Sequence, residues 1–205
     1  MVDLETSTEK RILEAARKIF IQKGFSGGRM QDIANEAGIN KALLHYYYRN
    51  KETLFEVILS DSLRNMLPRV SEIFDGEGSL QDKIRAFVNA YLSFMIEDPS
   101  LPLFILNTLH SQSNRSISSK FQEIVGQLPY GKFRDEITAA VNKGVIRPID
   151  PIQLILNTLS LCLFPFLAKP AFLMVSHLSE ASYKQMLLKR KADVADFIID
   201  ALRPE

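Results

Sequence analysis

Residues 30–48 read Met30-Gln31-Asp32-Ile33-Ala34-Asn35-Glu36-Ala37-Gly38-Ile39-Asn40-Lys41-Ala42-Leu43-Leu44-His45-Tyr46-Tyr47-Tyr48. Met30, Ile33, Ala34 and Ala37 share one face of a short helix that Gly38 ends, and Asn40 caps a second short helix reaching about Tyr47. A small residue at Ala34 lets two helices cross closely, and a glycine at 38 permits the positive φ of a sharp turn. Ile33, Ile39 and Leu44 close a small shared core. This is the spacing of a helix-turn-helix, whose second helix enters a major groove. That helix has few outward side chains: Asn40, Lys41, Leu43, His45 and Tyr46 are the candidates for base or backbone contacts. Tyr47 and Lys51 lie where phosphate would pass, Lys51 beside a helix start that favours anions. A plain helical hairpin with the tyrosines as core is the competing reading. It is preferred for Tyr48, which is expected to pack against Ile12 or Phe20. For His45 the alternatives are a surface residue without a role and base readout by hydrogen bonding.

Outward from this stretch the chain reads as helix after helix, without strand alternation. Ile12, Ala15, Ala16, Ile19 and Phe20 form one stripe of a first helix that Gly24 stops. Asn50 caps a fourth helix with Leu54, Phe55, Ile58 and Leu59 inward, which Pro68 kinks or ends. Gly76 and Gly78 mark a turn, after which Ser79 and Asp82 open a helix striped by Leu80, Ile84, Phe87, Val88, Tyr91 and Leu92. Asp98-Pro99 and Asp150-Pro151 repeat one signal, a cap followed by proline at the first helical position. Residues 111–119 read as a polar loop, and 120–143 as a helix broken near 126–129 and closed by Gly144. Lys169-Pro170 ends the helix that Asp150 begins, and a last helix runs over about 182–202. Gly27-Gly28 reads as a flexible turn.

Hydrophobic residues make up 46% of the 205, enough for a sizeable core. The net charge of +1 hides an asymmetry: residues 10–51 carry +6 and the rest −5. A basic head on an acidic body suits phosphate binding. The single cysteine, Cys162, excludes an internal disulfide and a cysteine-rich zinc site, and its apolar neighbours suggest a buried, inert thiol. The three histidines, His45, His110 and His177, form no metal-ligand pair, and no nucleophile elbow or phosphate loop occurs. An enzyme, a cofactor and a metal are therefore not expected. No signal peptide opens the chain. Residues 151–168 contain no charge, but Gln153, Asn157, Thr158, Ser160 and Pro165 interrupt them. A buried helix, and a cytoplasmic protein without a membrane partner, is the reading preferred over a span.

The run Arg11-Ile12-Leu13-Glu14-Ala15-Ala16, Phe20, Gly24-Phe25, Met30-Gln31-Asp32-Ile33-Ala34, Glu36-Ala37-Gly38-Ile39-Asn40-Lys41, Leu44-His45-Tyr46-Tyr47-Tyr48 and Asn50-Lys51-Glu52-Thr53-Leu54 resembles the tetracycline-repressor (TetR) family of regulators. The resemblance covers roughly residues 8–60. It implies a helix-turn-helix over about 29–48, major-groove contacts from 40–46 and phosphate contacts from Tyr47 and Lys51. Gly28-Arg29 stands where members commonly place a capping threonine or serine, so the charge of Arg29 replaces that phosphate contact. His45 replaces a common tyrosine, and Tyr48 a common phenylalanine.

The all-α fold so implied has a three-helix head (residues 1–52, with a linking helix from 51) and a helical effector-binding and dimerisation domain (53–205). Phe87, Tyr91, Phe94, Phe104, Asn107, His110, Phe133, Asn157 and Phe164 offer aromatic walls with polar tips, suited to a small neutral or amphipathic effector. The helix from Asp150 is apolar around most of its circumference, so a second copy would cover what one chain cannot. Leu154, Leu161, Pro165, Met186, Leu187, Val194, Phe197, Ile198 and Ala201 are the interface candidates. The expected function is a dimeric, ligand-responsive regulator, most simply a repressor, on a double-stranded operator. The alternative is a helical protein-interaction module without DNA binding.

Overall fold

The computed structural model describes residues 2–64, 66–109 and 115–204, which form helices and connecting turns. In order these are α1 (Val2–Gly27), α2 (Met30–Ala37), α3 (Lys41–Tyr47), α4 (Lys51–Leu63), α5 (Met66–Asp75), α6 (Leu80–Glu97), α7 (Leu101–Leu109), α8 (Arg115–Val125), α9 (Tyr130–Asn142), α10 (Pro151–Leu167), α11 (Lys169–Ser176) and α12 (Glu180–Ala201). They fall into two compact units. The first comprises Met1–Arg64 with Leu103–Val125, the second Asn65–Pro102 with Gly126–Glu205. Residues 1–52 cluster in the first unit with α4, most of α7 and α8.

The first unit is built on the expected stripe. Ile12, Ala16, Ile33, Ala34, Leu44 and Leu54 are fully buried. Phe20, Phe25, Phe55 and Phe104 form one aromatic cluster, with Phe55 stacked on Phe104 at 4.8 Å between centroids and edge-on to Phe25 at 5.4 Å. Gly24 breaks α1 as expected (φ 69°, ψ 168°), but a further turn follows to Gly27. Gly28 is not merely a flexible turn. A Cβ there would lie 3.1 Å from both Ile19 and Phe20, a tight approach to α1 that glycine relieves.

The second unit packs α12 and α5 along α6, with α10 between α6, α9 and α12. Val88, Leu92, Ile137, Cys162 and Ala195 are fully buried in it. Burial pushes the Cys162 thiol up to about 12, against the opposing charge of Arg190. Lys83 is buried, and its ammonium meets Glu136 at 2.8 Å and the Phe74 carbonyl at 3.4 Å, joining α6 to α9 and the end of α5.

Local signals start most helices where expected. Ser79 and Asp82 form a reciprocal capping box, and Asp150 accepts from Gln153 N at 3.0 Å with Pro151 opening α10. Four expectations change. Pro68 is the third residue of α5 rather than the end of α4, in a first turn where no N–H is needed. Asp98 closes α6 instead of opening a helix, and α7 begins at Leu101. Residues from Arg115 onward are helical, not loop. Lys169-Pro170 ends α10 but also starts α11, bent 70° from it.

Pro165 lies inside α10 and has no N–H for the Leu161 carbonyl. Arg190 of α12 supplies the missing donors, Nε at 3.1 Å and Nη2 at 2.8 Å. Tyr183 of α12 donates its buried hydroxyl to the Pro165 carbonyl at 2.6 Å. Among the described residues no single helix is long and apolar enough to cross a membrane.

Candidate nucleic-acid interface

The turn between α2 and α3 is closed by backbone bonds from Gly38 N to Asn35 O (3.1 Å) and from Ile39 N to Ala34 O (3.0 Å). Gly38 sits at φ 65°, ψ 37°, the left-handed region. The Arg11 guanidinium on α1 donates to the carbonyls of Ala37 and Gly38, tying the end of α2 to the first helix. Asn40 accepts from Leu43 N at 2.7 Å, and Asn50 from Thr53 N at 2.7 Å, so α3 and α4 each have a firm start. Arg29 precedes α2, and its backbone N–H reaches the Asp32 carboxylate at 3.4 Å. Asp32 also pairs with Lys23 at 2.9 Å, and the hydrogen bond from Lys23 is the main cause holding its carboxyl below the usual value.

This leaves a divided set of positive charges. Lys18 is paired with Glu36 and Lys23 with Asp32, while Arg11 is spent on backbone carbonyls. Among the described residues no ion pair is made by Lys41 or Arg49, and Arg29 is exposed. On α3, Lys41, Leu43, His45 and Tyr46 are exposed, Tyr46 to 80%, while Leu44 is fully buried. Tyr47 is half-buried and edge-on to Tyr46. Asn40 is exposed, although its side-chain oxygen is engaged in the cap. His45 Nδ1 lies 3.2 Å from the Arg49 carbonyl. Tyr48 is buried as expected, and its hydroxyl donates to Glu9 at 3.0 Å; burial first, then the Glu9 carboxylate, keeps it protonated.

Lys51 is engaged within the first unit. Its ammonium donates to the Phe25 carbonyl at 2.7 Å and lies 4.4 Å from the centre of the Phe25 ring. It fastens α4 to the end of α1. Arg49 was missed by sequence reasoning, since only the fold shows it to be exposed beside α3 and without an ion pair among the described residues. The Arg11 strut was missed too, because its partners are 26 and 27 residues away.

The effector candidates are distributed over both units. Phe87 stacks on Tyr91 at 5.4 Å and on Phe74 at 5.4 Å, and Phe74 meets Phe133 at 4.2 Å, all within the second unit. Burial pushes the Tyr91 hydroxyl up to about 12. Phe94 is half-buried against the same core. Phe104 belongs instead to the aromatic core of the first unit, and Asn107 is exposed there, 3.5 Å from the Ile21 carbonyl. Asn157 and Phe164 point outward from α10, Phe164 being 65% exposed. His110 lies outside the described residues.

The interface candidates also divide. Leu154, Pro165, Leu187, Val194 and Ile198 are buried in the chain's own core, so they cannot form the outer surface. Leu161 and Met186 are half-buried, and Phe197 and Ala201 are exposed. Ile152, Leu156 and Phe164 on α10, with Leu188 and Phe197 on α12, are exposed large apolar side chains. A cavity of about 360 Å³ opens between these helices, lined by Ile149, Asn157, Leu161 and Phe197 among others.

A capped recognition-type helix, exposed on one side and held from behind by a buried three-helix core, defines a helix-turn-helix DNA-binding protein. Residues 12–58 match the family model described as bacterial regulatory proteins, tetR family. The HTH-type transcriptional regulator RutR of Escherichia coli (strain K12) is 30% identical over 155 residues, spanning 73% of this chain and 69% of RutR. Two solved structures share the fold. HlyIIR, a hemolysin II transcriptional regulator, aligns with TM-score 0.68 at 22% identity, over 98% of this chain and 99% of that one. FadR from Bacillus subtilis, in complex with stearoyl-CoA, aligns with TM-score 0.64 at 16% identity, over 95% of this chain and 99% of FadR. The chain belongs to the tetR family of bacterial regulatory proteins. It is a ligand-responsive, DNA-binding transcriptional regulator. Regulators of this family bind DNA operators as dimers and answer to small-molecule effectors.

Proposed function

We propose that the chain is a homodimeric repressor that lays α3 in the major groove of each operator half-site and leaves DNA when its effector binds. The exposed face of α3 carries this reading, with unpaired Lys41 and Arg49 at its two ends and Arg29 beside α2. Lys41, Leu43, His45 and Tyr46 meet base edges; Arg29, Asn40, Tyr47 and Arg49 meet the flanking phosphates. Lys51 supports the surface from behind, through the Phe25 carbonyl. The second copy docks on the outward apolar face of α10 and α12. The effector is small and neutral or amphipathic, seated beside the Phe87–Tyr91–Phe133 array, in a fold that accommodates stearoyl-CoA in FadR. Its power to release DNA equals its preference for the DNA-free arrangement.

Gel-shift titration against fragments flanking the chain's own gene tests this reading. A specific complex at moderate salt is expected. Lys41→Ala should weaken it about tenfold and lower the salt slope by about one. The absence of any specific complex overturns the proposal.

A further inference from the structure

We propose that His45 selects adenine or cytosine over guanine or thymine at one operator position, by presenting a bare ring nitrogen to the major groove. The inference rests on the placement of α3 at DNA proposed above. Its own basis is the bond between His45 and the chain just beyond α3. His45 Nδ1 lies 3.2 Å from the Arg49 carbonyl oxygen. A carbonyl has no proton to give, so the hydrogen of this bond sits on Nδ1. In the neutral imidazole the other nitrogen, Nε2, is then an acceptor. Nε2 occupies the opposite edge of the ring, on an exposed side chain of the recognition helix, with no partner among the described residues.

An acceptor in the major groove needs a donor. The only donors offered there by the bases are the N6 amino group of adenine and the N4 amino group of cytosine; guanine offers N7 and O6, thymine O4 and a methyl group. Nε2 placed against one base therefore gains a hydrogen bond from adenine or cytosine and meets lone-pair repulsion from guanine or thymine. The arginine that follows Tyr48 thus acts through its backbone: the Arg49 carbonyl sets the tautomer, and the tautomer sets the base. A tyrosine at position 45 would place a rotatable hydroxyl there, which donates or accepts and imposes no such choice.

Two measurements test this on the full-length chain. In ¹⁵N NMR of the free protein at neutral pH, His45 should show the protonated nitrogen at Nδ1; a dominant Nε2–H form overturns the proposal. In selection from a randomised double-stranded library, the wild type should enrich sites with one position favouring adenine or cytosine about fivefold over guanine or thymine. His45→Phe keeps the ring and its exposed position but has no nitrogen, so that single preference should flatten while the others remain. If His45→Phe leaves every position unchanged, or the position it alters favours guanine or thymine, the proposal fails while the operator reading stands. A wild-type chain that enriches nothing overturns the operator reading and this inference with it.

Discussion

Lys51 makes two contacts that its place in the sequence does not announce. Its position at a helix start and its charge both suit a phosphate, yet the fold places its ammonium on the Phe25 carbonyl and ring. Lys51→Met keeps the aliphatic stem and removes both contacts, so the first unit should lose about 1–2 kcal/mol of stability. Denaturant unfolding followed on the full chain checks the size of the effect. The salt slope of operator binding should stay at the wild-type value; a drop of about one would return Lys51 to the phosphate set. Other residues were legible because their signals are local. Asn40, Asn50, Ser79 and Asp150 were read as caps from the residues that follow them, and each does accept a backbone N–H. Gly38 was legible because glycine adopts a positive φ more readily than any other residue. Gly28 was not, because its close approach to the Ile19 and Phe20 side chains appears only in the fold.

At the scale of the element, α10 is the helix the sequence described least well. Its composition marks it as buried, but a helix apolar on nearly every side does not reveal which side faces the core. Only the fold separates the inward Leu154, Thr158 and Cys162 from the outward Ile152, Leu156 and Phe164. The same limit hid α11, since proline ends one helix and fits the first turn of the next equally well. The proline within α10 creates a dependence on α12. Arg190→Met should leave the Leu161 carbonyl without its donors and cost about 1–3 kcal/mol, lowering the thermal midpoint by several degrees. Pro165→Ala restores the intrahelical N–H to that carbonyl. In the Pro165→Ala background, Arg190→Met should therefore cost clearly less. Calorimetry on the four proteins of this cycle measures the coupling, and strict additivity would show that Arg190 is not compensating for the proline.

At the scale of the whole molecule, the proposed function requires two heads, and the surface that could join two copies is visible only after the core has claimed its share. The sequence reading gathered Leu154, Leu187, Val194 and Ile198 with Phe197 because all lie on the same apolar helices. The first four fill the chain's own interior. Phe197 remains 64% exposed, lining the cavity between α10 and α12, and Phe164 of α10 is 65% exposed. A charge at Phe197 should consequently spare the fold and harm the assembly. Phe197→Glu is expected to keep the thermal midpoint of an isolated chain yet sediment as a monomer at micromolar concentration, because a carboxylate would be buried unpaired in an apolar contact. Its operator affinity should fall by about 100-fold or more, since each head would bind its half-site without the effective concentration supplied by the other. Half-site binding by one head should be unchanged, which a short duplex carrying a single half-site would show. A Phe197→Glu protein that remains dimeric and binds the full operator as the wild type does would move the second copy to another face. Loss of folding would instead place Phe197 within the chain's own packing, alongside Ile198.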